Sequence, residues 1–354
     1  ARWSRPGLAV MAPVQVPDSL PSASAVRRLP LWDQRWGLYF TALLALLQLG
    51  LYLLAGAEAA PLIWLPLVGS ALIVVNLVFI KRPFLPYDRI LSAFSDDGIH
   101  WEKDPGVRLD VGGAARSRQV YSPCVVAAET GWRMFHRGGG YNSVILSAVS
   151  DDGLSWREEL GQRVGTAGEY GLQRVDFPAV ASCGQGWWRM YYAASDGVRW
   201  RIFCRESDDQ LQWHGERVAI DMGHCPQYPH AIDPTAIAVA GGWRMIFTAF
   251  GAAENRFYTA FSVDGVEWQD PVECRGFDPD KTHLRNPCVL RLANGGMCLY
   301  FSEYASSIIG SHIASAVSTD GTNWQREDGV RLQCGGINDE HGVFCPHITP
   351  VAGG

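Results

Sequence analysis

A seven-residue element that recurs about every 56 residues constrains this chain more than any other feature. The element is Ser-x-Asp-Gly-x-x-Trp, and one copy carries Gln in place of Gly. Its five tryptophans are Trp101, Trp156, Trp213, Trp268 and Trp324. Each copy follows a short β-like run, so Asp-Gly is expected to make a tight turn between two strands. A constant period of this length is typical of repeat architectures.

Two further elements keep the same phase. The first centres on a proline and occurs as Ser122-Pro123, Phe177-Pro178, Asp233-Pro234, Asn286-Pro287 and Cys345-Pro346. The second is a Trp-Arg-Met strand that begins at Trp132, Trp188 and Trp243. Each period therefore contains four short predicted strands, which is the content of one β-propeller blade. We predict an all-β fold, a five-bladed β-propeller.

The repeated residues have structural interpretations. The Asp of each Asp-Gly turn can bond its own following backbone, while Gly supplies a positive φ. The repeated tryptophans are expected in the core between blades. The Arg of each Trp-Arg-Met strand is expected to make a repeated structural pairing.

The ends of the repeat region predict how the ring closes. Residues 87–110 supply the last two strands of a blade and residues 343–354 supply the first, so these segments are expected to meet in one blade. One strand of that blade is then missing. We expect a strand resembling Trp-Arg-Met-Tyr to follow Gly354 in the natural polypeptide and to fill this place.

Two apolar stretches precede the repeats. Residues 36–57 and 59–80 carry no charge, and each is long enough to cross a bilayer core as a helix. Lysine and arginine flank the pair on its outer sides, whereas the connection carries only Glu58. This bias predicts that both ends face the cytoplasm.

The predicted domains follow from these features. They are an extended N-terminal arm, 1–35, a two-helix transmembrane hairpin, 36–80, and the propeller, 81–354. The expected location is the inner (cytoplasmic) membrane, with the propeller on the cytoplasmic side.

Composition excludes several functions. There are 30 basic and 36 acidic residues, so no global positive field is available to hold nucleic acid. The nine cysteines include no CxxC pair, which disfavours a zinc ribbon or a full disulfide set and fits a reducing compartment. The spacing of His224, Cys225 and His230 matches no standard metal set. We therefore expect no metal and no cofactor.

The turn and proline elements together resemble the furanosidase-type glycoside hydrolases of families 43, 32 and 68. The resemblance covers about residues 87–354. It implies a propeller whose first strands line a central funnel. It further implies one Asp as base or nucleophile, a second Asp that orients, and a Glu as general acid, since this chemistry needs two carboxyl groups with separated pKa values.

Several of the implied carboxylate positions hold other residues. Ser122 stands where the first Asp would lie, Ile232 stands at the Glu position of the third blade, and Phe344 takes a Glu position in the fifth. Two aspartates on neighbouring blades remain as the catalytic candidates if the chain is an enzyme: Asp176 and Asp233. The residues expected around a bound sugar are Arg174, His230, His283, Arg285 and Asn286. The reserve acids are Glu254 and Glu303.

Two functions remain open at this point. The depleted carboxylates, the membrane anchor and the cytoplasmic orientation favour a non-catalytic scaffold or stabilising subunit of a larger membrane complex, for example a respiratory or photosynthetic assembly. Its partners would be other membrane protein subunits and the lipid bilayer, and the two aspartates would be polar funnel residues. The alternative is a glycoside hydrolase or transglycosylase that acts on furanosides or glycolipids at the membrane surface, with a carbohydrate as its ligand.

Overall fold

The computed structural model describes residues 8–16, 87–112, 119–139, 143–252, 254–277, 283–304, 310–336, 338–340 and 342–350. The chain divides into two units, one of Ala1–Pro17 with Tyr87–Gly354 and one of Asp18–Pro86. The predicted transmembrane hairpin, 36–80, lies outside the described residues. Within the described ranges, no helix is long and apolar enough to cross a membrane.

The described residues form β-strands and no helix, which confirms the all-β prediction. Four sheets each use four consecutive strands. The first contains β4 (Tyr121–Ala127), β5 (Trp132–Gly138), β6 (Val144–Ser150) and β7 (Arg157–Glu158). The second contains β8 (Arg174–Gly184), β9 (Trp187–Ser195), β10 (Trp200–Ser207) and β11 (His214–Ile220). The third contains β12 (His230–Val239), β13 (Gly242–Phe250), β14 (Asn255–Ser262) and β15 (Val272–Glu273). The fourth contains β16 (His283–Arg291), β17 (Met297–Tyr304), β18 (His312–Ser318) and β19 (Gln325–Arg326).

The fifth sheet is assembled from distant parts of the chain. Its order is β20 (His347–Pro350), β1 (Leu8–Val16), β2 (Tyr87–Ser95) and β3 (Glu102–Lys103). Strand β1 pairs antiparallel with β2 along its whole length and with β20 over four residues.

The place that we expected a strand after Gly354 to fill is therefore occupied by Leu8–Val16, a part of the predicted arm. The structure corrects the expected source of this strand, because β20 and β2 each present an open backbone edge that a strand from either chain end can satisfy. The sequence of β1, LAVMAPVQV, lacks the Trp-Arg-Met signature of the other second strands.

Packing between sheets builds the propeller core. Each of five buried apolar clusters in the described region takes residues from two sheets. The turn tryptophans join these contacts: Trp213 packs edge-on against Phe135 of the first sheet at 5.6 Å, and Trp268 packs against Tyr191 of the second at 5.7 Å. These contacts confirm the prediction of tryptophans between blades.

The Asp-Gly turns have the expected local chemistry. In the first sheet, the hydroxyl of Ser150 accepts the backbone N–H of Gly153 at 2.8 Å. Asp152 Oδ1 accepts the N–H groups of Leu154 and Ser155 at 2.8 and 2.7 Å. These backbone donors hold the pKa of Asp152 well below its ordinary value.

The arginines of two Trp-Arg-Met strands, Arg133 and Arg189, bind their sheet to the turn of the next sheet. Arg189 Nη1 donates to the backbone carbonyl of Asp264 at 2.8 Å, while its Nη2 pairs with Glu206 at 2.6 Å. Arg133 donates to the Gln210 side chain at 2.8 Å. We call the five Ser-x-Asp-Gly turns with these arginines the turn ring. The predicted structural pairing of the arginines is therefore observed.

Candidate functional site

A set of five residues with left-handed backbone marks the first strands of the sheets. The residue before each repeated proline has φ between 51° and 54°. These residues, which we call the proline ring, are Ser122, Phe177, Asp233, Asn286 and Cys345. A left-handed conformation costs a non-glycine residue about 1–2 kcal/mol. Such strain clusters where the backbone must present particular side chains.

The strain coincides with a β-bulge. In the first sheet, pairing between β4 and β5 shifts register between Tyr121 and Cys124, and equivalent shifts occur in the next three sheets. A bulge leaves a residue unpaired and re-aims its neighbours. The residues two positions before the prolines form a second set, which we call the funnel set: Tyr121, Asp176, Ile232, Arg285 and Phe344.

Two cavities are lined by the residues of these two sets. The proline cavity, of about 220 Å³, is lined by all five members of the proline ring. The funnel cavity, of about 340 Å³, is lined by every member of the funnel set except Phe344. Its other lining residues are Gln119, Arg137, Arg174, Phe177, Trp200 and Phe250. Phe177 lines both cavities.

Asp176 is a buried carboxyl group at the wall of the funnel cavity, with 4% of its surface exposed. Its Oδ2 accepts the hydroxyl of Tyr121 at 2.9 Å and lies 3.3 Å from Nε of Arg137. Its Oδ1 accepts the backbone N–H of Phe177 at 2.9 Å. Burial raises the pKa of Asp176 to about 6, against the opposing effect of Arg137, and the negative charge of Asp233 adds to the rise. This carboxyl group can carry a proton under mildly acidic conditions.

Asp233 is held differently. Its Oδ2 accepts Nε of Arg285 at 2.8 Å and the backbone N–H of Asn286 at 3.1 Å. Its Oδ1 is buried and has no hydrogen-bond partner. Burial opposes the charge on Arg285, but Asp233 raises the pKa of that guanidinium above its ordinary value. One carboxylate oxygen is therefore fixed, and the other is buried without a hydrogen-bond partner.

Three of the five predicted sugar-binding residues line one of the two cavities. Arg174 and Arg285 line the funnel cavity, and Asn286 lines the proline cavity. The ring of His230 stacks at 4.6 Å on Phe250, which lines the funnel cavity, but His230 itself lines neither cavity. His283 stacks on Tyr304 at 5.5 Å and lines neither cavity.

The two reserve acids lie outside both cavities. Glu303 pairs with Arg326 at 2.6 Å and with His312 at 3.1 Å. Although burial raises the pKa of Glu303, these partners outweigh it and lower the pKa to about 2. Glu254 accepts the Tyr228 hydroxyl at 3.0 Å and pairs with Arg256. Neither glutamate has the raised pKa that a general acid needs.

The remaining titratable groups of the proline cavity are held neutral. Burial raises the pKa values of Cys124 and Cys288 to about 12 and lowers the pKa of His347 to about 4. Within the described residues, no group of three or more His, Cys, Asp or Glu side chains is placed to hold a metal ion. Asp233 is the acidic side chain that lines this cavity.

Sequence reasoning missed several residues of the funnel cavity. Tyr121 and Arg137 contact Asp176. Trp200 and Phe250 form an aromatic wall of the funnel cavity. Tyr121 has a signal in the sequence, since it stands two residues before a repeated proline just as Asp176 does. Arg137 lies near the end of β5, outside any repeated motif.

Comparison with known proteins shows which of them share this fold. No family model matches the chain. The Mycobacterium tuberculosis protein "Uncharacterized protein MT1551" is 35% identical over 94 residues, which is 26% of this chain and 31% of that protein. The match therefore spans about a third of that relative's length.

Solved structures share the architecture over a longer stretch. The Bombyx mori GH32 beta-fructofuranosidase has a TM-score of 0.54 at 14% identity, covering 70% of this chain and 58% of that one. The endo-arabinase from Bacteroides thetaiotaomicron has a TM-score of 0.51 at 14% identity, covering 68% and 98%. At these identities the likeness establishes the fold, a β-propeller of the kind found in glycoside hydrolases.

Proposed function

We propose that this chain is a glycoside hydrolase or transglycosylase that acts on a furanoside-type sugar. The observation that carries the proposal is the pair of buried aspartates on neighbouring first strands, one with a raised pKa and one with an unpartnered oxygen. It favours the enzyme alternative over the non-catalytic scaffold. The names of the two similar solved structures, a beta-fructofuranosidase and an endo-arabinase, support this class of substrate.

In the proposed reaction, Asp176 is the general acid. Protonated below about pH 6, it would donate its proton to the oxygen of the leaving group as the glycosidic bond breaks. The proposed acid would then stand on the second sheet, whereas the family resemblance implies a Glu at the position of Ile232 in the third.

Asp233 would supply the second carboxylate. Arg285 and the N–H of Asn286 hold its Oδ2, so Oδ1 would be the oxygen that attacks the anomeric carbon or accepts a proton from an attacking water. Both routes need a sugar that reaches past Phe177, which lines both cavities. The aromatic wall of Trp200 and Phe250 would support the sugar ring.

Hydrolysis of methyl furanosides by the purified chain tests this proposal, because their methoxide leaving group needs a proton from the general acid. We expect Asp176→Asn and Asp233→Asn each to lower kcat by about 10³-fold with the folded circular dichroism spectrum retained. The wild-type rate should fall as pH rises above about 6, and this fall should vanish in Asp176→Asn. Asp151→Asn, on an exposed turn, is the matched control and should leave the rate unchanged. A wild-type chain inactive on all such furanosides, or turnover that persists in Asp233→Asn, would overturn the proposal.

We also infer that the five sheets are the blades of one closed ring. The five interface clusters support this, because together they join each sheet to two others. The cluster of Ile90 and Val125, for example, links the fifth sheet to the first. An electron density map with a different number of blades would refute the inference.

We further propose that residues 36–80 form a membrane hairpin and that the propeller faces the cytoplasm. The uncharged stretches and the basic residues on their outer flanks support this topology. Cys183 is exposed and offers a probe. A membrane-impermeant maleimide should label it only after cells are lysed, and Cys183→Ser should remove that label. Labelling of Cys183 in intact cells would contradict the orientation.

A further inference from the structure

The aromatic wall of the funnel cavity comes from two different sheets. Trp200 is the first residue of β10 in the second sheet, and Phe250 is the last residue of β13 in the third. Both residues line the funnel cavity. Because β10 and β13 belong to separate hydrogen-bonded sheets, strand pairing does not fix Trp200 relative to Phe250. Their relative position depends on contacts across the junction between the sheets.

His230 contacts both residues of the aromatic wall. It begins β12 and is the register partner of Phe250. Its ring stacks on Phe250, with centroids 4.6 Å apart and an interplanar angle of 28°. Its Nδ1 accepts the backbone N–H of Trp200 at 3.3 Å. One imidazole ring therefore links the second sheet to the third at the aromatic wall.

The hydrogen bond from Trp200 determines the state of the His230 ring. A ring nitrogen that accepts an N–H carries no proton, so the neutral ring holds its proton on Nε2. Protonation would turn Nδ1 into a donor and break the bond. Burial and the positive charge of Arg199, whose Nη1 donates to Asp221 at 3.2 Å, lower the pKa of His230. The ring therefore stays an acceptor to lower pH than an ordinary histidine.

The fourth sheet contains a matched pair of rings. His283 begins β16 and stacks on its register partner Tyr304 at 5.5 Å, just as His230 stacks on Phe250. Neither His283 nor Tyr304 lines the funnel cavity or the proline cavity. Stacking alone therefore does not relate a histidine to a cavity. The bond to the Trp200 backbone is the feature that connects His230 with the aromatic wall.

We propose that His230 is a positioning residue that holds Trp200 in the orientation in which a sugar ring stacks on it. The inference rests on the proposed function for its sugar. An aromatic side chain fixed before binding costs less conformational entropy than one that must be ordered by the ligand. His230 acts through Trp200 in this proposal and makes no contact with the sugar.

Steady-state kinetics on a methyl furanoside that the wild-type chain hydrolyses test the proposal. His230→Phe keeps a ring that can stack on Phe250 and removes the acceptor. We expect KM to rise about five- to tenfold, the cost of ordering one side chain on binding, and kcat to stay within about twofold. His230→Asn supplies an amide oxygen as acceptor and should recover most of the loss. An unchanged KM in His230→Phe, or an equal rise in both variants, would overturn the inference.

A double-mutant cycle tests whether His230 acts through Trp200. Trp200→Ala removes the side chain that His230 is proposed to position, so adding His230→Phe to this variant should raise KM no further. The matched control is His283→Phe, which changes the equivalent stacked ring in the fourth sheet and should leave KM unchanged. Independent effects of His230→Phe and Trp200→Ala would refute the positioning role.

Hydrogen exchange at the Trp200 amide separates this inference from the proposed function, because it needs no sugar. In the full chain with isotope-labelled tryptophan, the Trp200 resonance is the one that Trp200→Phe removes. His230→Phe should speed its exchange about tenfold or more, and His230→Asn should slow it again. Faster exchange without hydrolysis of any furanoside would support the positioning of Trp200 and refute the enzyme. Hydrolysis with unchanged exchange would keep the enzyme and refute the role of His230.

Discussion

The turn ring and the proline ring repeat the same backbone five times but treat their side chains differently. In the turn ring, Ser, Asp and Trp recur because each makes a hydrogen bond or a contact that the turn itself requires. In the proline ring, the φ angles agree within 3°, yet the residues are Ser, Phe, Asp, Asn and Cys. The bulge thus fixes where a side chain points and leaves its chemistry free.

The largest expected effect is an opposite dependence of stability on pH at Asp176 and His347. The pKa of Asp176 is raised to about 6, so its contribution to the free energy of unfolding is present at low pH and is lost as pH rises from about 4 to 6. The pKa of His347 is lowered to about 4, so its contribution is present above about pH 6.5 and is lost as pH falls toward 4. Between about pH 4 and 6.5, each group changes the free energy of unfolding by about 3 kcal/mol, and the two changes have opposite signs.

Urea unfolding between pH 4 and 6.5 separates these contributions. Relative to wild type, Asp176→Asn should lose stability more steeply on acidification, because the opposing effect of Asp176 is gone. His347→Gln should lose stability less steeply or gain it. Parallel pH profiles for the three proteins would show that neither group is buried as described.

A smaller effect is expected at the turn ring. Arg189→Ala removes the donor to the Asp264 carbonyl and the partner of Glu206 from a site that is 7% exposed. We expect a loss of about 2 kcal/mol in the free energy of unfolding, with ligand binding unchanged. Arg157→Ala, whose side chain is 73% exposed, should change stability by less than about 0.5 kcal/mol. If the two variants unfold at the same urea concentration, the arginines do not fasten the sheets.

The smallest effect concerns the one turn that departs from the repeat. Gln210 takes the Gly position with φ of 62°, and its side chain donates to the carbonyl of Ala127 and accepts from Arg133. Gln210→Gly should relieve the backbone but lose both hydrogen bonds, with a net loss of about 1 kcal/mol in thermal unfolding. A gain in stability would show that backbone strain outweighs the two bonds.

The sequence predicts the repeated parts of this protein well and its unique parts poorly. The period and the proline phase lead to the sheets, the turns and the positions of Asp176 and Asp233. The contact between Arg137 and Asp176 was not predicted, because Arg137 belongs to no repeated motif. Its distance from Asp176 depends on how β5 lies beside β4. The position of strand β1 in the fifth sheet was not predicted for a similar reason. It depends on an open backbone edge and not on a sequence motif in β1.

The composite fifth sheet also determines where residues 17–86 leave the propeller sheet and rejoin it. Val16 and Tyr87 are register partners, so the chain leaves the sheet and returns to it at one point. The two ends of this long excursion of the chain are therefore held beside each other by one strand pair, β1 with β2. A force applied to it would act on the end of a single strand pair, leaving the other four sheets unloaded.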